Sequence, residues 1–230
     1  MEYTVVRSSR KTLCIQLGRD GSVIVRAPRR CPGWYIQEFV NSKAGWVRTH
    51  QAVARARAEA RQGYCLREGE TVSICGEPFQ VHLVPGLKAR LHGGQMILSD
   101  GDMDRQRQAI LRLAGEYGYP RLQTRLDHWA GVMGIDYQTL KRSSARTRWG
   151  SCSSDGVIRI SVWLLFAPEA DIDYVLVHEL AHRRHFDHSP AFWALVAQVL
   201  PDYAARKRSL RAFQNTAFLQ SLAEKGTGQR

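Results

Sequence analysis

Apolar side chains alternate with polar ones in a strand-like way through residues 3–6, 12–17 and 22–25, and Arg19-Asp20-Gly21 forms a turn between the last two runs. Period-two alternation between turn residues predicts short strands, so the chain opens as a β-hairpin or meander that ends at Ala27-Pro28. The period then lengthens. Tyr35, Phe39, Trp46 and Val53 are the apolar positions of a helical pattern over residues 34–61, whose alanine-rich end carries Arg55, Arg57 and Arg61. That pattern predicts a helix with a core stripe and a solvated, charged side, although a basic aromatic helix can also serve as a nucleic-acid face. Residues 71–74 and 79–84, around Gly76-Glu77-Pro78, read as a second hairpin, and residues 91–98, around Gly93-Gly94, as a third. The first hundred residues therefore read as a small α+β unit with hairpins. Ser99-Asp100-Gly101-Asp102 is the expected junction, giving domains at 1–100 and 101–230.

Beyond the junction a helical pattern runs over residues 103–129, with Ile110, Leu111, Ala114, Leu122, Leu126 and Trp129 as core candidates and Gly118-Tyr119-Pro120 as an expected break or kink. Strands are expected at residues 135–141 and 157–162, separated by a polar, glycine-punctuated segment. Ala167-Pro168-Glu169 can start a helix, with Glu169, Asp171 and Asp173 favoured at its positive end. Ile172, Val175, Leu176 and Leu180 give that helix an apolar stripe, so it is expected to lie in a core. Ser189-Pro190 starts another helix, carrying Phe192, Trp193, Leu195, Val196 and Val199, and Pro201 interrupts it. A basic amphipathic piece follows at residues 206–213, and the tail from Glu224 is expected to fray.

On the buried helix the chain reads His178-Glu179-Leu180-Ala181-His182, with His188 further on. Residues four apart share one helix face, so His178 and His182 can present their imidazoles to a single ion. Glu179 lies one step round the helix, from where it can reach a water bound to that ion. Two or three protein ligands, an open position for water and a carboxylate beside it are the parts of a catalytic zinc site. For His188 to be the third ligand the helix must end near Phe186-Asp187, which Asp187 and Ser189-Pro190 allow. His185 competes, but on a continuous helix it would point along the axis and not across the ion. His188 is the preferred ligand, and His185 is expected to be solvated or to lie outside the coordination shell.

Hydrolysis also needs a donor or positive charge where the oxyanion forms, and Arg148, Arg146 or Tyr203 could supply it. Arg148 could equally brace its loop against a carboxylate such as Asp173. Asp173 could hold a ligand imidazole in its tautomer, although a helix-start acid is the simpler account. Trp149 and Trp193 are expected in packing, and Cys152 as a small buried residue.

Composition narrows the setting. The net charge of +12 divides into +7 over residues 1–100 and +5 over the rest, and arginine supplies 27 of the 33 basic side chains. Such a surface attracts nucleic acid, acidic protein or phosphorylated ligands through salt-sensitive forces, without making any of them the substrate. Nonspecific nucleic-acid contact is its expected consequence. The five cysteines show no C-x-x-C pair, which argues against a disulfide framework or a zinc–cysteine site and favours a reducing cytoplasm. No charged-then-apolar leader opens the chain and no apolar run approaches spanning length, so no membrane contact is expected.

Several motifs together resemble the YgjP-like zinc metallopeptidases, relatives of the SprT-like and WLM proteases. They are Arg148-Trp149-Gly150-Ser151-Cys152, Asp173-Tyr174-Val175, His178-Glu179-Leu180-Ala181-His182, His188-Ser189, Phe192-Trp193 and Pro201-Asp202-Tyr203. The opening segment, through Asp20-Gly21-Ser22 and Ala27-Pro28 to Trp46, is similar to the N-terminal part of that family. The resemblance implies a zincin-like catalytic domain within an α+β fold, with one zinc ion on His178, His182 and His188, Glu179 as base, and a protein or peptide substrate. It also implies that the strand near residues 158–161 is the edge along which an extended substrate lies. The His182-to-His188 spacing also occurs in metzincins, but those have glycine where this chain has His185 and a methionine turn downstream. All four methionines here lie upstream, at Met1, Met96, Met103 and Met133. The metzincin reading fails.

A cytoplasmic zinc metallopeptidase is thus the leading expectation. One alternative keeps the metal but cleaves nucleotide phosphoanhydrides with arginines clamping the phosphates, although the chain has no glycine-rich P-loop. The other is a nucleic-acid-associated accessory protein with a zinc site.

Overall fold

Val23, Val25 and Ala27 point to one side of the third strand and are almost wholly buried, which makes that strand the natural centre of a sheet. A computed structural model describes residues 2–18, 21–62, 66–99 and 103–222. Its first sheet holds β1 (Thr4–Ser8), β2 (Cys14–Leu17) and β3 (Val23–Pro28) in the order β1-β3-β2. β3 runs antiparallel to β2, as the hairpin predicts, and parallel to β1, which a meander does not. The most apolar strand has taken the middle. Arg19 and Asp20 of the expected turn lie outside the described residues; Gly21 beside them has φ +80°.

The single helical pattern of residues 34–61 forms two helices, α1 (Gly33–Ser42) and α2 (Ala44–Gln62), broken at Lys43. Ile36 and Val40 of α1 pack on Val25 and Ala27, with Tyr3, Leu13, Ile15 and Cys31 around them. The expected stripe is therefore corrected. Ile36, Val40 and Val47 are buried, whereas Tyr35, Trp46 and Val53 are exposed.

The second sheet has the order β4-β5-β7-β6, from β4 (Thr71–Ile74), β5 (Glu77–Leu83), β6 (Arg90–His92) and β7 (Gln95–Leu98). Both expected hairpins form. Their turns, Cys75-Gly76 and Gly93-Gly94, carry positive φ at both central residues, the geometry that matches strand twist. The Cys75 amide donates to the Leu165 carbonyl at 2.6 Å, and a Cβ on Gly76 would press on Glu169. These contacts tie the second hairpin to the C-terminal half. The chain divides into compact units Met1–Tyr64 and Cys65–Arg230, so the junction at 99–102 expected from composition falls within the second unit, and its residues 100–102 lie outside the described residues.

α3 (Met103–Met133) continues unbroken through Pro120, so the expected break does not occur. Its flanks are held by packing on both sides of the proline. Leu113, Ala114, Tyr119, Leu122 and Leu126 are buried, and a Cβ on Gly118 would stand 2.8 Å from Leu165. The third sheet has the order β8-β10-β9, from β8 (Thr139–Ser143), β9 (Gly150–Cys152) and β10 (Val157–Ser161). A second expectation is corrected here: β10, expected as an open edge, is the central strand, paired on both sides. A 3₁₀ turn at Val162–Phe166 leads into α4 (Glu169–Ala181), followed by α5 (Pro190–Val199), α6 (Tyr203–Phe213) and α7 (Ala217–Leu222). No helix among the described residues is long and apolar enough to cross a membrane. The chain is a mixed α+β protein.

Candidate metal centre

α4 begins after Pro168 with Glu169 and Asp171 in its first turn, where carboxylates meet the positive end of the helix dipole. Every residue from Asp171 to Val177 is buried, so the helix runs through the core and delivers His178 and His182 at its inner end. The helix stops at once after the motif, with His182 as its C-cap, earlier than the break expected near Phe186-Asp187. Two arginines fix the exit. Arg183 donates to the carbonyls of Asp136 and Ser154 at 3.2 and 2.8 Å, and Arg184 to those of Met133 and Gly134 at 3.3 and 3.1 Å. The chain then turns back through Asp187, whose carboxylate accepts from the Ser189 amide, and Ser189 caps α5 by accepting from the Phe192 amide.

This return brings His188 to His178 and His182. The ligand nitrogens of the three lie within 4.8 Å of one another, and Nε2 of His188 stands 3.1 Å from Nε2 of His178. A tetrahedral ion bound at about 2.0–2.1 Å holds imidazole nitrogens about 3.3 Å apart, so the set fits such a metal. The chemistry fits as well. Burial pushes His178 down to about 3, with the His182, His188 and Lys207 charges adding to the effect, so its ring is a neutral donor near pH 7. His182 is also lowered by burial. His182 Nδ1–H donates to the His185 carbonyl at 3.1 Å, which leaves Nε2 for an ion. His185 thus serves through its backbone, and its imidazole is not in the cluster. His178 Nδ1 is buried without a partner.

Phe192 stands at the centre of this arrangement. Its ring is fully buried and its centroid lies 4.9, 4.7 and 4.8 Å from those of His178, His182 and His188. Read in the sequence as part of an apolar stripe, it is the post against which all three imidazoles rest. Trp193 stacks on His188 at 5.6 Å and on Tyr203 at 5.3 Å, and Lys207 Nζ sits 4.6 Å over the Trp193 ring.

Glu179, one step round the same helix, is 5% exposed and packs against Gly150 of β9. A Cβ on Gly150 would lie 2.6 Å from Glu179 Oε1, so only glycine leaves room for the carboxylate. Burial pushes the Glu179 carboxyl up to about 8, and the Arg148 charge pulls it back in part. Arg148 is exposed and acts on Glu179 from outside. Tyr174 is pushed up to about 12, by burial first and then by the Glu179 and Tyr203 charges, so it remains a phenol. Tyr174 was read only as part of the Asp173-Tyr174-Val175 motif and Lys207 as part of the basic amphipathic piece; packing places both here. Cys152 is half-buried, and burial together with the Glu179 charge raises its thiol, which keeps it protonated.

Asp173 does not orient an imidazole. Its carboxylate accepts from Arg125 at 2.9 and 2.7 Å and from Trp129 Nε1 at 2.8 Å, while Arg125 also pairs with Glu169. Arg206 lies 4.0 Å away and donates to the Ala170 carbonyl at 3.0 Å. The ion-pair cluster locks α4 to α3 and α6, so Asp173 serves the fold and not the ligands.

A model of the YgjP-like metallopeptidase domain matches residues 11–213. No curated protein matches the chain. One solved structure, the metallopeptidase zymogen of Pyrococcus abyssi abylysin, is similar to it at 25% identity, covering 40% of this chain and 90% of that one, with a TM-score of 0.36. A superposition that loose carries no conclusion about this chain's site.

Proposed function

This chain belongs to the YgjP-like metallopeptidase family, and from that premise we propose that it is a zinc-dependent peptidase of the cytoplasm acting on protein or peptide substrates. At the family level it is a metal-dependent peptidase. The observation that supports the finer reading is the pairing of two features at the end of α4: three converging imidazoles, and beside His178 a buried carboxylate fitted to Gly150.

His178, His182 and His188 would hold one zinc ion per chain. Bound there, zinc supplies a Lewis acid for the scissile carbonyl and lowers the pKa of its water to about 7. Glu179 would take a proton from the attacking water at its carboxylate and pass it to the leaving amine. A carboxyl whose burial raises its pKa toward neutrality is suited to both transfers, and a cation at the histidines would draw it back toward the charged form. β9 is a half-buried edge strand in contact with α4, so an extended substrate pairs with Gly150–Cys152, and not with the central β10. Arg148 lies on the Glu179 side and Tyr203 on the Trp193 side as the groups that contact the substrate or its developing oxyanion.

The phosphoanhydride reading draws less support. Arg125, Arg183, Arg184 and Arg206 donate to carbonyls and carboxylates of the fold itself and are not free to clamp phosphates.

Elemental mass spectrometry on protein purified without added metal, together with a peptide-hydrolysis assay, tests the proposal. One zinc per chain is expected, lost in His178→Ala and in His188→Ala. Glu179→Gln is expected to keep the zinc and lose turnover by a factor on the order of 10²–10⁴. Zinc retained in His188→Ala removes the third ligand, and an unchanged rate in Glu179→Gln removes the base.

A further inference from the structure

Charge is shared unevenly between the two units. Residues 1–64 hold 12 basic and 4 acidic side chains, so this short unit carries +8 of the chain's +12. Some of these cations hold the fold together. Arg7 donates to the carbonyls of Pro28, Arg29 and Cys31, and Arg26 donates to Gln16. Others do not. Among the described residues Arg29, Arg30, Lys43 and Arg48 are exposed, and none has a carboxylate partner.

The same stretch exposes aromatic rings. Trp34 is 70% exposed, Tyr35 50% and Trp46 46%. Trp34 and Tyr35 meet edge to face at 5.7 Å, and Trp46 stacks on His50 at 4.4 Å. Ile36, Val40 and Val47 already supply the buried sides of α1 and α2, so these rings are surplus to the core. Cations and rings alternate along the chain: Arg29 and Arg30, then Trp34 and Tyr35, then Lys43, Trp46 and Arg48.

We infer that the N-terminal unit binds single-stranded nucleic acid, with Trp34, Tyr35 and Trp46 as stacking platforms for bases and Arg29, Arg30, Lys43 and Arg48 along the phosphates. A strand offers both flat bases and phosphates, the two chemistries that exposed rings and exposed cations of one short segment can take. In a duplex the base faces are already stacked and give these rings nothing to cover. DNA and RNA share the chemistry invoked, so both are probed. The inference does not depend on whether α4 supports peptide hydrolysis.

Fluorescence anisotropy on the full chain, with labelled single strands of about 20 nucleotides and the matching duplex, provides the test. The single strand, as DNA, RNA or both, is expected to bind about tenfold tighter than the duplex, and added salt to weaken binding steeply. Trp34→Ala with Trp46→Ala is expected to weaken single-strand binding about tenfold or more, and Trp34→Phe with Trp46→Phe to keep most of it. Lys43→Glu with Arg48→Glu is expected to weaken binding and flatten its salt dependence. Circular dichroism on each variant separates lost binding from lost folding, and the phenylalanine pair carries the test if the alanine pair unfolds. Duplex bound as tightly as single strand, or alanine variants that fold and bind like the wild type, overturns the inference. Equal competition by an acidic polypeptide also overturns it, by assigning the surface to an acidic protein.

Discussion

Around α4 the guanidinium groups turn inward. Arg183 and Arg184 cap the carbonyls of Asp136, Ser154, Met133 and Gly134, while Arg125 and Arg206 gather at Asp173. In the N-terminal unit Arg29, Arg30 and Arg48 face solvent, and Trp34 and Trp46 are exposed. One residue type does two jobs. In the second unit its fork of donors holds backbone that a turn leaves unsatisfied, at the exit of α4. At Arg29, Arg30 and Arg48 its charge faces solvent, with no carboxylate partner among the described residues. Net charge alone treats these arginines alike, so a count of +12 overstates what the second unit offers to an anionic partner.

Breaking the Asp173 cluster should show the largest effect. Asp173→Asn leaves half-buried Arg125 only the more exposed Glu169 carboxylate and should cost about 3 kcal/mol, read by chemical denaturation. Zinc stoichiometry should stay unchanged. Loss of zinc with unchanged stability would instead return Asp173 to the role of orienting an imidazole.

The buried titratable groups of α4 give the second contrast. Burial raises Glu179 from its ordinary 4.5 to about 8 and lowers His178 from 6.5 to about 3. The raised carboxyl contributes stability that is full below pH 4.5 and lost as pH rises through 8. The depressed imidazole contributes stability that is full above pH 6.5 and lost as pH falls through 3. Their slopes cancel between about pH 4.5 and 6.5, so metal-stripped protein should show a plateau there. Above it, stability should fall by about 2 kcal/mol up to about pH 8. Thermal melts of stripped Glu179→Gln should lack that alkaline fall, and its persistence would deny the burial of the carboxyl.

The smallest effects separate the two kinds of arginine most directly. Arg184→Ala frees two carbonyls at the end of α3 and should cost about 1 kcal/mol. Arg30→Ala should stay within about 0.5 kcal/mol of wild type. Equal losses in urea titrations would erase the distinction.

The metal helix was legible because helix geometry is local. The four-residue spacing of His178 and His182, the apolar flanks and the acidic first turn all act within a few turns of one another. The hairpin of residues 71–84 was legible for the same reason, although its turn falls at Cys75-Gly76 and Glu77-Pro78 join the strand. Reading failed where the answer lay in a distant segment. Pro120 marked an expected break, yet packing at Gly118 and Leu122 on either side carries the helix through. Tyr35, Trp46 and Val53 follow helical spacing, yet the sheet takes its contacts from Ile36 and Val40 instead.

By itself, the sequence determined the α+β character, the order of helices over residues 169–213 and the register of the histidines, since each follows from backbone periods and capping over short spans; β9, read as a polar segment, it did not. Only the tertiary structure decided that β10 is central and β9 the open edge, that Gly150 makes room for Glu179, that Phe192 seats the three imidazoles, and that Asp173 serves Arg125. Those outcomes rest on pairing order within a sheet or on side-chain contacts that reach as far as 48 positions along the chain. No local spacing encodes them, because what selects them is the exclusion of water and the fit of side chains that meet only once the chain has folded.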